Sequence, residues 1–163
     1  MNKRTAYYGA MMAMAIICCY VEYLIPFNFG IPGIKLGLAN IVALFLLYRD
    51  GFVSAITVNV ARVLLCGILF GNAMGVFYSL VGGAFSVTSM WLLKKSRFFS
   101  MVGVSVLGGT AHNIGQLLAA SVTIGVKAVI YYMPFLAVSG VITGFLIGIA
   151  ASVIIKRVNR KAY

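Results

Sequence analysis

The sequence predicts an all-α, polytopic integral membrane protein in which six helices cross the bilayer. Of its 163 residues, 63% are hydrophobic and 9% are charged, whereas soluble domains carry about 25% charged residues. A soluble fold of this length cannot bury so much apolar surface, so lipid is the expected solvent. The length suits one bundle, and we expect residues 1–163 to form a single transmembrane domain.

The predicted spans follow apolar runs of about 20 residues, the length that crosses a bilayer as a helix. The first run has no convincing signal-peptide cleavage site, so we expect it to be retained. The second has the shortest strictly apolar part. Pro134 suits the first turn of the sixth helix, where proline forfeits no helical hydrogen bond. The predicted ranges are about 6–25, 33–48, 51–70, 72–93, 101–124 and 134–155.

The basic residues orient this bundle. The chain has 13 basic and 2 acidic residues, a net charge of +11. Most of the basic residues form short clusters at the ends of apolar runs, so they indicate topology and no nucleic-acid partner is expected. With six spans the clusters fall on one side, which the positive-inside rule makes cytoplasmic, together with both termini. The clusters are Lys3 and Arg4, Arg49, Lys94 to Arg97, and Lys156 to Lys161.

Polar side chains within the predicted spans are the candidate functional residues, because each is costly in lipid. With a rise of about 1.5 Å per residue, they occupy the outer half and the midplane, and the inner half is almost purely apolar. This asymmetry predicts a pocket that opens to the outside. The set comprises Glu22, Asn40, Asn59, Arg62, His112, Asn113 and Gln116, with Lys35 and Asn72 at the outer flank.

Arg62 is the sharpest single signal, since a charge at mid-helix costs about 2.5–3.5 kcal/mol even on insertion scales. It must face the bundle interior, where it either contacts a ligand or is paired structurally. Asn59 lies three residues earlier on the same helix face. Glu22 is the only acidic residue within a span, and its different depth leaves open whether it pairs with Arg62.

The run from Gly108 to Gln116 is the second signal, because His112 and Gln116 share a helix face with Asn113 beside them. Three interpretations stay open: hydrogen bonding between helices, ligand recognition and a proton relay. A metal site is not expected, since zinc needs three or four ligands and the chain has one histidine.

Several chemistries are disfavoured, and we expect neither enzyme activity nor a cofactor. Prenyl diphosphate synthesis needs clustered carboxylates to hold Mg²⁺ and diphosphate, and two separated acids cannot supply them. The sequence contains no Walker A motif and no nucleophile–base–acid triad. Cys18, Cys19 and Cys66 lack metal or redox spacing and are expected to pack inside helices.

Small residues recur every four positions in three places, a spacing that lets helices approach closely. Packing within the bundle is the first interpretation of each stripe, and docking onto a partner membrane protein is the second. The stripes are Ala6-x3-Ala10 with Gly9-x3-Ala13, Gly67-x3-Gly71-x3-Gly75, and Gly140-x3-Gly144-x3-Gly148.

Several motifs resemble the Gx transporter family, which also carries the name heptaprenyl diphosphate synthase component I. The resemblance covers nearly the whole chain. Its motifs are the stretch 32–41 (PGIKLGLANI), Arg62, Tyr78, Gly82-Gly83 and His112-Asn113-x-Gly115-Gln116. That family resembles the substrate-binding S components of energy-coupling factor (ECF) transporters. The resemblance implies six helices in the bacterial plasma membrane, with a small, vitamin-like molecule bound at the outer side.

The resemblance also implies partners, namely a transmembrane T subunit and two ATPase subunits that drive delivery. An alanine-rich face of the first helix usually docks on the T subunit, and Ala6, Gly9, Ala10 and Ala13 are similar to it. The positive charge of the polar set favours an anionic ligand. The expected substrate-binding residues are Lys35, Asn40, Asn59, Arg62, His112, Asn113 and Gln116.

Structural or gating roles are expected for Glu22, Asn72, Tyr131 and Tyr132. The two tyrosines belong to the segment 127–133, which is predicted to lie along the outer surface and is a candidate cover for the pocket. Two other functions stay open. One is a membrane subunit of a flavin- or quinone-linked electron-transfer system, and the other is a membrane component associated with prenyl diphosphate synthesis.

Overall fold

The computed structural model describes residues 3–24 and 37–160, and all regular secondary structure in these ranges is α-helical. This confirms the all-α prediction for the described part of the chain. The third and fifth predicted helices match α3 and α5 to within one residue, and the last helix continues beyond 155 to Arg160. The helices are α1 (Lys3–Leu24), α2 (Asn40–Arg49), α3 (Phe52–Phe70), α4 (Ala73–Ser96), α5 (Met101–Ile124), α6 (Val126–Ile130) and α7 (Met133–Arg160).

The second helix begins later than the sequence predicts. α2 starts at Asn40 rather than near 33, because Gly37 has a φ of +74°, a left-handed conformation that favours glycine and interrupts a helix. The Asn40 amide donates to the Gly37 carbonyl over 2.8 Å and closes a turn. Residues 33–36 lie outside the described residues. With 10 residues, the described helix α2 is about 15 Å long, about half the thickness of the hydrocarbon core of a bilayer.

Other helices of the bundle surround this short helix. α2 packs against α1, α3, α4 and α7, and its residues 42–47 are all buried. A helix that is apolar on every side is stable only when other helices surround it. α2 therefore fills one end of the bundle with leucine, valine and phenylalanine side chains, and leaves the space beyond its N-terminus to other residues.

Hydrogen bonds between helices show which ends lie together. The Tyr7 hydroxyl near the start of α1 donates to Asp50 Oδ2 after α2, over 2.8 Å. Lys94 Nζ near the end of α4 donates to the Leu47 carbonyl over 2.7 Å. The starts of α1, α3 and α5 and the ends of α2 and α4 thus meet at one end, which we call the basic end because the first three basic clusters lie there.

The glycine stripe of α7 packs against α5. A Cβ atom added at Gly144 would lie 2.7 Å from the Ser105 carbonyl oxygen, and one at Gly148 would lie 2.8 Å from Val102 Cα. Only glycine permits this approach, so the internal-packing interpretation is confirmed for this stripe. Because Val102 is near the start of α5, the contact also brings the C-terminal half of α7 to the basic end.

Within the described ranges, four helices are long and apolar enough to cross a membrane, namely α1, α3, α4 and α7 as far as Val158. The chain is therefore a multi-pass membrane protein. α5 has the necessary length, with 24 residues, but the run from Gly108 to Gln116 makes its middle less apolar. The six-span count and the cytoplasmic placement of the termini stay predictions.

Candidate ligand-binding site

A cavity lies beyond the N-terminus of α2, at the end of the bundle opposite the basic end. α1, α3, α4, α5 and the turn before α2 enclose it, and its polar lining is contributed by Glu22, Asn40, Arg62, Ser79 and His112. We call it the polar cavity. Its volume is about 20 Å³, enough for one or two water molecules. A larger ligand could enter only if these walls moved apart.

Arg62 is the central charged group of this cavity, and its side chain is buried, with 7% exposure. Its Nη2 donates to Asn59 Oδ1 over 2.6 Å, and its Nη1 contacts Cys19 Sγ at 3.6 Å. A thiol is a weak acceptor, and Nε has no hydrogen-bond partner among the described residues. The guanidinium thus keeps donor capacity that a carboxylate or phosphate oxygen could use through charge-assisted hydrogen bonds.

Two adjacent glycines of α4 let three helices converge on this site. Asn59 Nδ2 lies against Gly83, where an added Cβ would come within 2.3 Å of it. At Gly82 an added Cβ would lie 2.8 Å from both the His112 carbonyl oxygen and Gln116 Cγ. The Gly82-Gly83 pair is therefore the reason that the polar residues of α3 and α5 can approach α4 closely.

His112 and Gln116 are both buried and both face α4, as their four-residue spacing predicts. His112 lines the polar cavity. Gln116 packs on Gly82, one helical turn further along α5, and does not contribute to the lining. The two side chains thus form one polar face, of which the His112 end is open to the cavity.

Glu22 closes the cavity on the α1 side. Its Oε1 accepts a hydrogen bond from the backbone N–H of Gly37, which ties the last turn of α1 to the turn before α2. Glu22 and Arg62 line the same cavity, together with Asn40 at the start of α2. The cavity therefore combines one acidic and one basic side chain with neutral hydrogen-bonding groups.

Asn113 and Asn72 take structural positions. Asn113 Nδ2 donates to the Leu136 carbonyl of α7 over 2.6 Å and is buried there. Asn72 caps the N-terminus of α4, where its Oδ1 accepts from the Gly75 amide over 2.7 Å. Neither residue lines the polar cavity. Asn72 lies at a helix cap and Asn113 lies between α5 and α7, and their functional roles stay predictions.

We expect Asn113→Ala to lower the stability of the protein by roughly 1–3 kcal/mol, because the buried Leu136 carbonyl would lose its donor. Thermal unfolding in a mild detergent measures this loss. Ligand retention, assayed on folded protein, should stay close to that of the parent. If the variant unfolds at the parent temperature but loses its ligand, Asn113 is instead a ligand-binding residue.

Three further residues were predicted to belong to the site, namely Lys35, Tyr131 and Tyr132. Lys35 lies outside the described residues. Tyr131 and Tyr132 lie in the turn between α6 and α7, where the Tyr132 amide donates to Val129. Tyr131 is 80% exposed, and neither tyrosine lines the polar cavity. The segment 127–133 includes most of the short helix α6, and its covering role stays a prediction.

Sequence reasoning missed three lining side chains that carry a thiol or a hydroxyl, namely Cys19, Cys66 and Ser79. Cysteine and serine are tolerated inside apolar helices, so their composition carries little signal. Their spacing from the polar residues and glycines of the same helices does indicate a shared face. Cys66 is one helical turn after Arg62, Cys19 is one turn before Glu22, and Ser79 is one turn before the glycine pair of α4.

The small-residue face of α1 is not covered by the described residues. Ala6, Gly9, Ala10 and Ala13 are all exposed, and a Cβ added at Gly9 would meet no atom within 4 Å. The opposite face of α1 packs on the bundle through the buried Ala15. For this stripe, internal packing against the described residues is therefore wrong, and docking onto a partner stays a prediction.

Comparison with known proteins supplies a family. A family model described as heptaprenyl diphosphate synthase component I matches residues 11–154. The matched range contains every described residue that lines the polar cavity. No curated protein and no solved structure matches the chain.

Proposed function

The chain belongs to the heptaprenyl diphosphate synthase component I family, and from this premise we propose that it is the substrate-binding membrane subunit of an ECF-type transporter. The substrate is a small polar metabolite that carries a carboxylate or a phosphate. The observation that carries the proposal is the buried guanidinium of Arg62, which lines a polar cavity and whose Nε has no partner among the described residues.

The uneven interior of the bundle supports a binding role with one open side. Polar groups gather at the cavity end, and the buried leucines of α2 fill the basic end. On the side toward the basic end, a substrate bound beside Arg62 therefore faces the apolar side chains of α2. Because the cavity has a volume of about 20 Å³, uptake requires a conformational change that separates the surrounding helices. A partner that reorients or opens the subunit would provide it.

Two features support the involvement of such a partner. The sequence has no Walker A motif, so ATP-driven work would come from other subunits. The exposed small-residue face of α1, from Ala6 to Ala13, offers a flat surface on which a second membrane helix can pack closely. We assign this face to the T subunit of an ECF module.

The positions of the two acidic residues support a non-enzymatic role. Glu22 is at the polar cavity, whereas Asp50 is at the basic end, where its carboxylate accepts from Tyr7. Mg²⁺-bound diphosphate requires carboxylates that converge on one place. We therefore expect the purified chain to have no prenyl-transferase activity by itself.

Native mass spectrometry on protein purified in a mild detergent tests the proposal. The expected result is a bound small molecule that is anionic after release and is absent from a control membrane protein purified alongside. Absorbance spectra and organic extraction of the same sample address the electron-transfer alternative. If the sample contains bound flavin or quinone and no soluble metabolite, the electron-transfer function is favoured and the transport proposal is wrong.

A further inference from the structure

A second concave site lies at the basic end, between the start of α1 and the turn that joins α2 to α3. It is a groove of about 540 Å³, within the range of about 300–1,000 Å³ common for ligand sites. Its walls contain three cationic side chains and one carboxylate. We call it the basic groove, and its lining residues are Lys3, Arg4, Tyr7, Tyr8, Arg49 and Asp50.

We propose that the basic groove binds the phosphate headgroup of an anionic membrane phospholipid. The site is separate from the polar cavity, since the two share no lining residue and lie at opposite ends of the bundle. The inference therefore does not depend on which substrate the polar cavity takes.

Arg49 is held in a pose suited to an anion. Its guanidinium lies over the Tyr7 ring at 5.5 Å and near the Phe45 ring at 5.9 Å. These cation–π contacts position the guanidinium, whose N–H groups can form bidentate hydrogen bonds with phosphate oxygens. Lys3 and Arg4 also line the groove and add two further cations.

The acidic residue of the groove is engaged by a neutral donor. Asp50 Oδ2 accepts from the Tyr7 hydroxyl over 2.8 Å, and this bond also holds the Tyr7 ring beneath Arg49. Tyr8 is fixed in the same way by a 3.0 Å hydrogen bond between its hydroxyl and Ser54 Oγ. The tyrosines pack edge to face with ring centroids 5.2 Å apart. The Tyr7 phenol thus engages one oxygen of the Asp50 carboxylate, and the Tyr8 phenol is held by Ser54.

The surroundings of the groove favour a lipid over a soluble anion. The groove lies at the helix ends, where lipid phosphates lie in a bilayer. An apolar side chain is exposed close to it in the chain, namely Val53, three residues after Asp50, at 73% exposure. An occupant with a phosphate at one end and acyl chains at the other would satisfy both the cations and this exposed apolar side chain.

Lipid titration followed by native mass spectrometry tests this assignment on the full chain. We expect the parent protein to retain dioleoyl phosphatidylglycerol in clear preference to dioleoyl phosphatidylcholine. The triple variant Lys3→Gln, Arg4→Gln and Arg49→Gln should lose about tenfold or more of that preference. The matched control, Lys95→Gln, Lys156→Gln and Arg157→Gln, removes the same charge outside the groove and should keep the preference.

A further variant preserves the net charge and tests the hydrogen bond between Tyr7 and Asp50. Tyr7→Phe removes the donor to Asp50, so the carboxylate can turn toward Arg49 and compete with the lipid phosphate. We expect this variant to unfold near the parent temperature and to bind phosphatidylglycerol several-fold more weakly. Retention equal to the parent in both the triple variant and Tyr7→Phe would overturn the proposal, as would equal losses in the triple variant and its matched control.

A competition experiment with inorganic phosphate distinguishes a lipid headgroup from a soluble phosphate as the ligand of the groove. Millimolar phosphate should neither displace phosphatidylglycerol from the parent nor raise its unfolding temperature, because it lacks the acyl chains. Displacement of the lipid by phosphate, together with stabilisation that disappears in the triple variant, would assign the groove to a soluble anion and overturn the lipid assignment.

Discussion

Arg62→Met is expected to reduce the amount of bound metabolite by about 10- to 100-fold, because it removes charge-assisted hydrogen bonds to the anionic group. The same change should leave the fold intact. The arginine is buried with one amide acceptor and one thiol contact, so its replacement removes a costly charge from the membrane interior along with these contacts. Quantifying the metabolite released from equal amounts of folded protein measures the effect.

Two companion variants separate ligand binding from structural pairing. Arg62→Lys keeps the charge but loses the planar guanidinium, so the amount of bound metabolite should lie between that of Arg62→Met and that of the parent. Arg157→Met near the end of α7 removes one exposed arginine at the basic end and should leave retention unchanged. If Arg62→Met keeps its metabolite but unfolds at a much lower temperature, Arg62 is a structural residue and the proposed site is wrong.

Gly144→Ala is expected to destabilise the protein by about 1–3 kcal/mol, because the new Cβ overpacks a helix interface. The added atom would lie 2.7 Å from both the Ser105 carbonyl oxygen and Val106 Cα. These are backbone atoms of α5 and cannot rotate away, so α5 and α7 must separate. Since α5 carries His112, we also expect weaker ligand retention. Thermal unfolding and metabolite release on the same samples measure both effects.

Gly9→Ala is the matched control for this substitution. Gly9 also belongs to a small-residue stripe in a helix, but an added Cβ there meets no atom within 4 Å. Its unfolding temperature should equal or slightly exceed that of the parent, because alanine favours a helix more than glycine does. If Gly144→Ala and Gly9→Ala destabilise the protein equally, or if neither destabilises it, the close interface between α5 and α7 is wrong.

The helices that were predicted best are those with clear local boundaries. Gly51 has a φ of +96° immediately before α3, and Asn72 caps α4 through its side chain. Both signals are local, since a turn or a cap depends on neighbouring residues only. α2 was predicted less well because an apolar run shows where a helix is possible, whereas Gly37 decides where it starts.

The candidate site was partly predictable for a similar reason. A buried charge or amide in an apolar helix is conspicuous without any structure, so Arg62, Asn59 and His112 stood out. Their neighbours were harder to sort. Asn113 follows His112 directly, but a step of about 100° around the helix turns it from the cavity toward α7, where it binds the Leu136 carbonyl.

By itself, the sequence determined a membrane-embedded helical protein with buried polar groups and basic clusters, because these follow from composition and one-dimensional periodicity. Tertiary structure alone decided what each face meets. The stripes of α1 and α7 have the same spacing of small residues, but α5 covers Gly144, whereas the described residues leave Gly9 exposed. Spacing along a chain specifies which residues share a helix face, and only the packing of other helices specifies whether that face is buried, bound or free.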